Sequence, residues 1–545
     1  MITNKYITKI VVVIVMAAVA VCIAAMIFSE QIVEAAGGFK IAMEYESKLF
    51  SDDEMMTVDI SMEQDTWDEM LKNAMSETYY SCDVTVNGTK MYRVGIRPKG
   101  NTSLSAIASD PNTDRYSFKL EFDQYVDGQT CFGLDKLILN NNYADATNMK
   151  EAVVYDMYRY LGADASLSNY AKVSVNGEYW GIYLALEAVE DSFMLRNYGS
   201  QNGELYKPES MGKGNDPEKI KDNASEKDNF APSQPPEGAP EMPNSEKDAG
   251  APEMPADMEE AGFPEDFEQN GGAKFQRDGL DFGRNGGPSM GGKGADLNYI
   301  DDNIDSYSTI WEGAVTNTKE KDYKKVVTAL KHIGEGTELE TYLDMDNILK
   351  YMAVHTFVVN MDSLTGNMAH NYYLYESDGQ LNLLPWDYNL AFGGMAKGNS
   401  NAAEMINFPV DTPFSGTQFF DKILENPQYL AQYHAYLKQL CEKYVKDGRF
   451  ETYYQKIRNQ IDSFVQTDPT AFYTYEEYIA GADMLYETVL LRAESILGQL
   501  EGTVPSTKEG QKENEDALID ASGIDVKVMG VMEMGGKDFQ FENEN

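Results

Sequence analysis

NYYLYESDGQLNLLPWDYNLAFGG, residues 371–394, holds two apolar runs of strand length, YYLY and LNLLPW, joined by Ser377-Asp378-Gly379. Ser, Asp and Gly are turn residues, so the segment is expected as a β-hairpin. The second run ends at Asp387, which puts a carboxylate at the exit of a buried strand, well placed to project into a cleft. Trp386 and Tyr388 flank it, as shields against water or as ordinary core aromatics. Fifteen residues separate Asp387 from Asn371, which opens the hairpin.

Upstream, NILKYMAVHTFVV has apolar residues at helical spacing and ends near Val359, running into NMDSLTGNMAHN. Asp362 therefore sits on a loop between helix and hairpin. Phosphoryl transfer on a protein-kinase-like scaffold needs an Asp to orient and deprotonate the acceptor hydroxyl, an Asn and a second Asp for Mg²⁺, and a Lys on the phosphates. Helix, Asp-bearing loop, Asn, hairpin and Asp follow one another here as they do around the catalytic loop and D-F-G segment of kinases. H-R-D is absent, W-D-Y stands in place of D-F-G, and the gap from Asp362 to Asn371 is longer than D-x-x-x-x-N. Asn367 satisfies that spacing, but Asn371 directly precedes the strand and is preferred. An Asx turn is the structural alternative for either.

The first half of the chain is strand-rich. MTVDISM, SCDVTVNGTKMYRVGIRPKGNTS and RYSFKLEFD alternate with period two, and Asn87-Gly88 marks a tight turn. MKEAVVYDMYRYLG is helical by spacing and stops at Gly162. YAKVSV and YWGIYLALEAV, joined by Asn176-Gly177, form a second hairpin, so the order is strands, helix, hairpin. From Tyr299 onward the pattern is mostly helical.

The 545 residues exceed one ordinary domain, and 42% hydrophobic with 11% aromatic content is globular overall. With 45 basic and 89 acidic residues the net charge is −44, which repels phosphate backbones and argues against nucleic-acid binding. Such a field suits solubility outside a cell, basic partners or divalent cations. Ile10–Phe28 is an unbroken apolar run preceded by Lys5 and Lys9. Residues 1–37 are expected as an uncleaved transmembrane anchor, or alternatively as a cleaved signal segment, with the rest exported. Residues 207–297 turn to Pro, Gly, Glu and Met, with GAPEMP at 238 and again at 250, and are expected as a disordered insertion between segments 38–206 and 298–501. Residues 502–545 are expected as an acidic flexible tail. Cys82, Cys131 and Cys441 have no metal-site spacing. The four His carry no H-E-x-x-H pattern, no nucleophile elbow is evident, and 89 acidic residues make chance carboxylate pairs uninformative.

VGIRPKGNTS, YSFKLEF, LILNNNYADATNMKEAVVYDMYRYLG, VSVNGEYWGIYLALEAV, GELYK, MDSLTGNMAHNYYLY and LPWDYNLAFG occur in one order from about Asp59 to Leu500, interrupted by the insertion. In this the sequence resembles the spore coat protein H (CotH) kinase-like family. The resemblance implies an α+β, divergent two-lobed protein-kinase-like fold with a strand-rich N-lobe and a mostly helical C-lobe. It also implies ATP with Mg²⁺ (Mn²⁺ as a substitute), and transfer to Ser or Thr of protein substrates, basic or low-complexity and Ser-rich. By position, Asp362 resembles the catalytic Asp, Asp387 the metal Asp with Asn371, Lys119 the phosphate-binding Lys, and Glu151 its ion-pair partner. Arg97 and Lys99 in RPKGNTS fall at the nucleotide-covering loop, with pairing to acidic neighbours as the alternative, and Lys207 is a further phosphate contact to consider. Glu187 falls at the hinge beside adenine, with turn capping as its alternative. A surface-anchored binding or structural protein that keeps the fold without turnover is the competing consequence.

Overall fold

The computed structural model describes residues 41–51, 53–209, 292–366, 368–395, 402–414 and 417–532. The expected anchor, Asn367 and nearly all of the expected insertion lie outside them. Among the described residues no helix is long and apolar enough to cross a membrane.

Seven strands, β1 (Met56–Ser61), β2 (Tyr80–Val86), β3 (Thr89–Lys99), β4 (Ser117–Glu121), β5 (Lys136–Asn140), β6 (Ser168–Val175) and β7 (Glu178–Glu187), form the first half. They follow the order β1-β2-β3-β4-β5-β7-β6 and close into a barrel. Closure is made by β1 running parallel to β6, Met56 opposite Ala171 through Ile60 opposite Val175. Asn87-Gly88 and Asn176-Gly177 turn their hairpins with positive φ at both residues, the conformation that matches strand twist.

Period two then divides β5 and β7 between two cores. Leu137, Leu139, Tyr183 and Ala185 join Ile96, Phe118, Leu120 and Trp67 inside the barrel. Ile138, Ile182, Leu184 and Leu186 face the helical half. Helix α1 (Lys150–Leu161) leaves β5 and ends at Gly162, left-handed at φ 71° as its sequence demands. Helices α2 (Met345–Val358), α3 (Pro427–Gln439), α4 (Arg449–Val465) and α5 (Tyr475–Glu501) build the second half, α5 opening with a Thr474/Glu477 capping box. The protein is thus α+β, strand-rich first and helical second.

The quoted segment is a hairpin. β9 (Tyr372–Ser377) and β10 (Gln380–Pro385) pair antiparallel about Asp378 and Gly379, both at positive φ. A short β8 (Glu204–Tyr206), from GELYK, adds to β9 and ties the end of the barrel segment to the hairpin.

Two expectations are corrected. Residues 502–532 are not a loose tail: Val504, Ala521, Val526 and Met529 are buried, and isolated apolar residues without periodicity are enough to dock an irregular segment. The insertion also reaches less far than 297, because Ala295 and Leu297 are buried and Tyr372 donates to the Ala295 carbonyl. Cys82, Cys131 and Cys441 are free thiols, all buried.

A buried ion pair joins barrel to helices. Arg115, before β4, donates from Nη1 to both oxygens of Asp468 at 2.9 and 2.8 Å and from Nε to the Asn141 carbonyl at 3.1 Å. Asp468, after α4, also accepts from Ile182 N in β7 at 2.9 Å. Both side chains are essentially excluded from water. Asp468→Ala is expected to destabilise the fold by about 3–5 kcal/mol, because it strands a buried guanidinium. A denaturant titration checks this, and an unchanged midpoint contradicts it.

Candidate active site at the hairpin exit

Asp387 leaves β10 with φ 59° and enters a left-handed conformation that a non-glycine residue adopts only at a cost. Val359, Ala369, Asn371 and Phe392 also have positive φ, so five such residues crowd the helix end, the loop and the hairpin exit. Each costs about 1–3 kcal/mol and persists because neighbours fix it. Phe392 N donates to the Val358 carbonyl at 2.7 Å, and Asn360 Nδ2 to the Asp387 carbonyl at 3.4 Å.

The loop before the hairpin is organised around Asp362. His370 Nε2 lies 2.6 Å from one carboxylate oxygen, and Asn371 Nδ2 donates to the other and to the Asp362 carbonyl, both at 2.9 Å. Beneath the loop, buried His355 reaches Ser363 at 3.2 Å, Thr365 at 3.0 Å and Tyr388 at 3.3 Å. Tyr388 pairs with Tyr158 of α1 at 2.6 Å. Burial pulls the His355 pKa down to about 3, so the ring is neutral and offers one donor and one acceptor.

Across from Asp387 stand two lysines. Lys99, at the end of β3, donates to Asn140 Oδ1 at 3.0 Å, and Asn140 Nδ2 donates to Glu151 Oε2 at 2.8 Å. Asn140 thus bridges a lysine and the first turn of α1. Lys207, after β8, pairs with Glu209 at 2.6 Å. Both ammonium groups lie over Trp386, at 5.5 and 5.8 Å from its ring, which makes this aromatic a cationic floor as well as core.

The charges are held under tension. Burial and then Asp387 push the Glu151 carboxyl up to about 8. Burial also raises Asp387 above the usual carboxylate range, opposed by Lys99 and reinforced by Asp362. Burial lowers Lys99, against the pull of Asp387. Lys207 is raised: burial acts against its charge, but Glu209 and Tyr373 outweigh it. A low-dielectric pocket with two cations facing clustered carboxyls favours an incoming group that carries both signs, such as a polyanion with a divalent cation.

Four of the candidates lie around Asp387, namely Asp362, Asn371, Glu151 and Lys99. Others do not. Lys119 faces Glu190 at 2.8 Å rather than Glu151, and Glu190, which burial would raise, is held down to about 2 by Lys119 and Lys136. The reason is register: Lys119 stands opposite Ile138, one strand short of Asn140. Arg97 is taken by Glu77, its acidic neighbour. Glu187 is fully buried and binds Arg196 at 2.6 and 2.9 Å, Tyr45 at 2.6 Å and Leu167 N at 3.1 Å, so its side chain is unavailable to a ligand. Asn140 and His370 escaped the sequence reading. Their only signals were the polar step ending LILN and the His directly before Asn371.

A hard cation fits this donor set. The Asp387 carboxylate accepts no hydrogen bond among the described residues, although it is largely buried, and the Asn371 amide keeps its oxygen for a further partner. Among the described residues no three Asp, Glu, His or Cys side chains converge as a complete metal cage.

A family model described as CotH kinase protein matches residues 96–250 and 266–496. The chain is also similar to the inner spore coat protein H of Bacillus subtilis (strain 168), with 21% identity over 374 residues, covering 68% of this chain and 80% of that protein.

The Glu151 shift has a pH consequence. Its folded-state pKa of about 8 lies above the ordinary glutamate value, so the native state holds the extra proton and stability declines as pH rises from about 4.3 to 8. Glu151→Gln is expected to flatten that decline. Thermal midpoints of both proteins without divalent cations, at pH 5 and pH 8.5, measure it: the variant gains on the parent at the higher pH, and parallel curves refute the assignment.

Proposed function

Because the chain belongs to the CotH kinase protein family, we propose that it is an ATP-dependent phosphotransferase acting on Ser or Thr hydroxyls of protein substrates with Mg²⁺. The observation that carries this reading is the convergence on one cleft of Asp387, the Asp362–Asn371 pair and the two lysines over Trp386.

Strand order supports it. β3, β4 and β5, then α1, then β6 and β7, with β5 pairing β7, repeat the strands, helix, hairpin order of a kinase small lobe. In that frame the third strand is β5, and the residue meeting the helix glutamate is Asn140 instead of a lysine. Lys99 brings the missing charge from the first strand. Lys119 falls on the second strand, which explains its partner.

Asp387 with the Asn371 oxygen would hold Mg²⁺, which when bound neutralises phosphate charge. Lys99 and Lys207 take the anionic oxygens, and Trp386 keeps water from beneath them. Asp362, aimed by His370 and Asn371, accepts the proton of the attacking hydroxyl at its carboxylate. The acidic surface favours basic substrate segments. The name of the Bacillus relative describes a spore coat protein, and a cell-surface or coat location, with export directed by residues 1–37, is proposed here on that basis.

Transfer of labelled phosphate from ATP to a Ser-rich basic acceptor tests the reading. Asp387→Ala and Asp362→Asn are expected to lower it by about 10²–10⁴-fold. Lys99→Met should behave similarly, whereas Lys119→Met keeps most activity. Full activity in Asp387→Ala overturns the assignment. Independently, Mg²⁺ with ATP at about 100 times its Kd should stabilise the parent by about 2.7 kcal/mol and leave Asp387→Ala unshifted. The same shift in both proteins places the cation elsewhere.

A further inference from the structure

The docked C-terminal segment lies beyond residue 496, where the family match ends. Its contacts fall on two parts of the cleft that are far apart in sequence. On one side the Gly530 carbonyl accepts from Lys150 Nζ at 2.7 Å, and the Met529 carbonyl accepts from Ala146 N at 3.1 Å. Lys150 is wholly buried and adjoins Glu151 in the first turn of α1. On the other side Met532 N donates to the Gly394 carbonyl at 2.8 Å, and Val526 packs so near Gly393 that a Cβ there would lie 3.4 Å from it. Gly393 and Gly394 close the segment that Asp387 opens.

The anchorage is specific. Val526 and Met529 are buried, Met529 Sδ accepts from Thr488 of α5 at 3.7 Å, and Asp525 N donates to Met484 Sδ at 3.4 Å. Gly530 has φ 83°, and a Cβ on it would come within 2.6 Å of Ala146 N and 2.7 Å of the Ala144 carbonyl oxygen. Only glycine lets the segment approach this closely. Lys150 also depends on the contact: beside the charge of nearby Asp145, the Gly530 carbonyl is the acceptor its buried ammonium reaches among the described residues.

We propose that residues 524–532 are a positioning strap for the active site, holding the Glu151-bearing turn of α1 and the Asp387 segment in register by capping Lys150 and pinning Gly394. The strap touches neither nucleotide nor acceptor and acts through Glu151 and Asp387. This rests on the phosphotransfer reading of the cleft, but the coupling itself is measurable without turnover.

The test uses the full chain carrying Gly530→Val, with Gly523→Ala as control, because a Cβ at Gly523 meets nothing within 4 Å. Amide hydrogen exchange is followed at residues 144–156 and 387–394 in both variants and in the parent. Faster exchange in both segments in Gly530→Val alone, by about tenfold or more, is the expected result. With it, kcat should fall about tenfold or more while KM for ATP stays within about threefold, because misplaced catalytic groups cost rate more than binding. Unchanged exchange in either segment overturns the coupling. Raised exchange with unchanged kcat overturns the positioning role and leaves ordinary tail packing. A parent that transfers no phosphate refutes the function proposed above, and the exchange arm then still decides whether the strap joins the two segments.

Discussion

Arg115 and Asp468 meet where β4, β7 and the α4–α5 connection converge, and their geometry leaves little latitude. The guanidinium fork spends its bonds on both Asp468 oxygens, the Thr470 hydroxyl and two backbone carbonyls, and the carboxylate takes a backbone N–H from the barrel in return. Gly181 lies so near that a Cβ would fall 2.5 Å from Arg115 Nη1. Charges removed from water at such density tolerate neither separation nor rotation, because each displaced bond exposes an ion to an apolar wall. The barrel face bearing Lys99 is thereby held at a set distance from the helical half that carries Asp362 and Asp387. A cleft whose two walls come from separate cores needs some rigid link of this kind, and packing alone is less directional.

Within the cleft the same physics is left incomplete. Arg196 and Glu187, or Glu190 with its two lysines, show how this protein stabilises buried charge when stability is the only demand. Around Asp387 the pairing is indirect: Asn140 separates Lys99 from Glu151, and Asp387 accepts no hydrogen bond among the described residues. Five strained backbone positions gather at the same place. Strained backbone and indirectly paired buried charge coincide here, the combination expected of a site that binds a ligand.

Much of this architecture was legible because it is local. Asn-Gly and Asp-Gly turns, period-two strands and the Gly162 stop report their own backbone needs, and the hairpin before Asp387 follows directly from them. The placement of Asp362 and Asn371 beside the hairpin was legible through order along the chain. Which of the candidate lysines stands near Asp387 was not. Lys119 and Lys99 both lie on alternating strands with the same outward phase, and choosing between them requires knowing that β5, with no cation in the right register, faces α1. Glu187 misled for a related reason, since a carboxylate at a strand end looks alike whether it faces a cleft or a buried arginine nine residues on. Barrel closure depends on β1 meeting β6 across more than a hundred residues, a parallel pairing that no turn signal announces. The docked segment after residue 502 was hidden because its few apolar residues follow no period.

Closure of the barrel has a bearing on recognition. A ring of seven strands offers no row of unsatisfied N–H and C=O groups, and the small sheet is covered as well: residues 313–315 bond to β8, and Asp344 N bonds to Leu381 of β10. A polypeptide arriving in extended form therefore finds no barrel edge to extend as an additional strand, and in the small sheet it meets edges that already make backbone bonds to other segments.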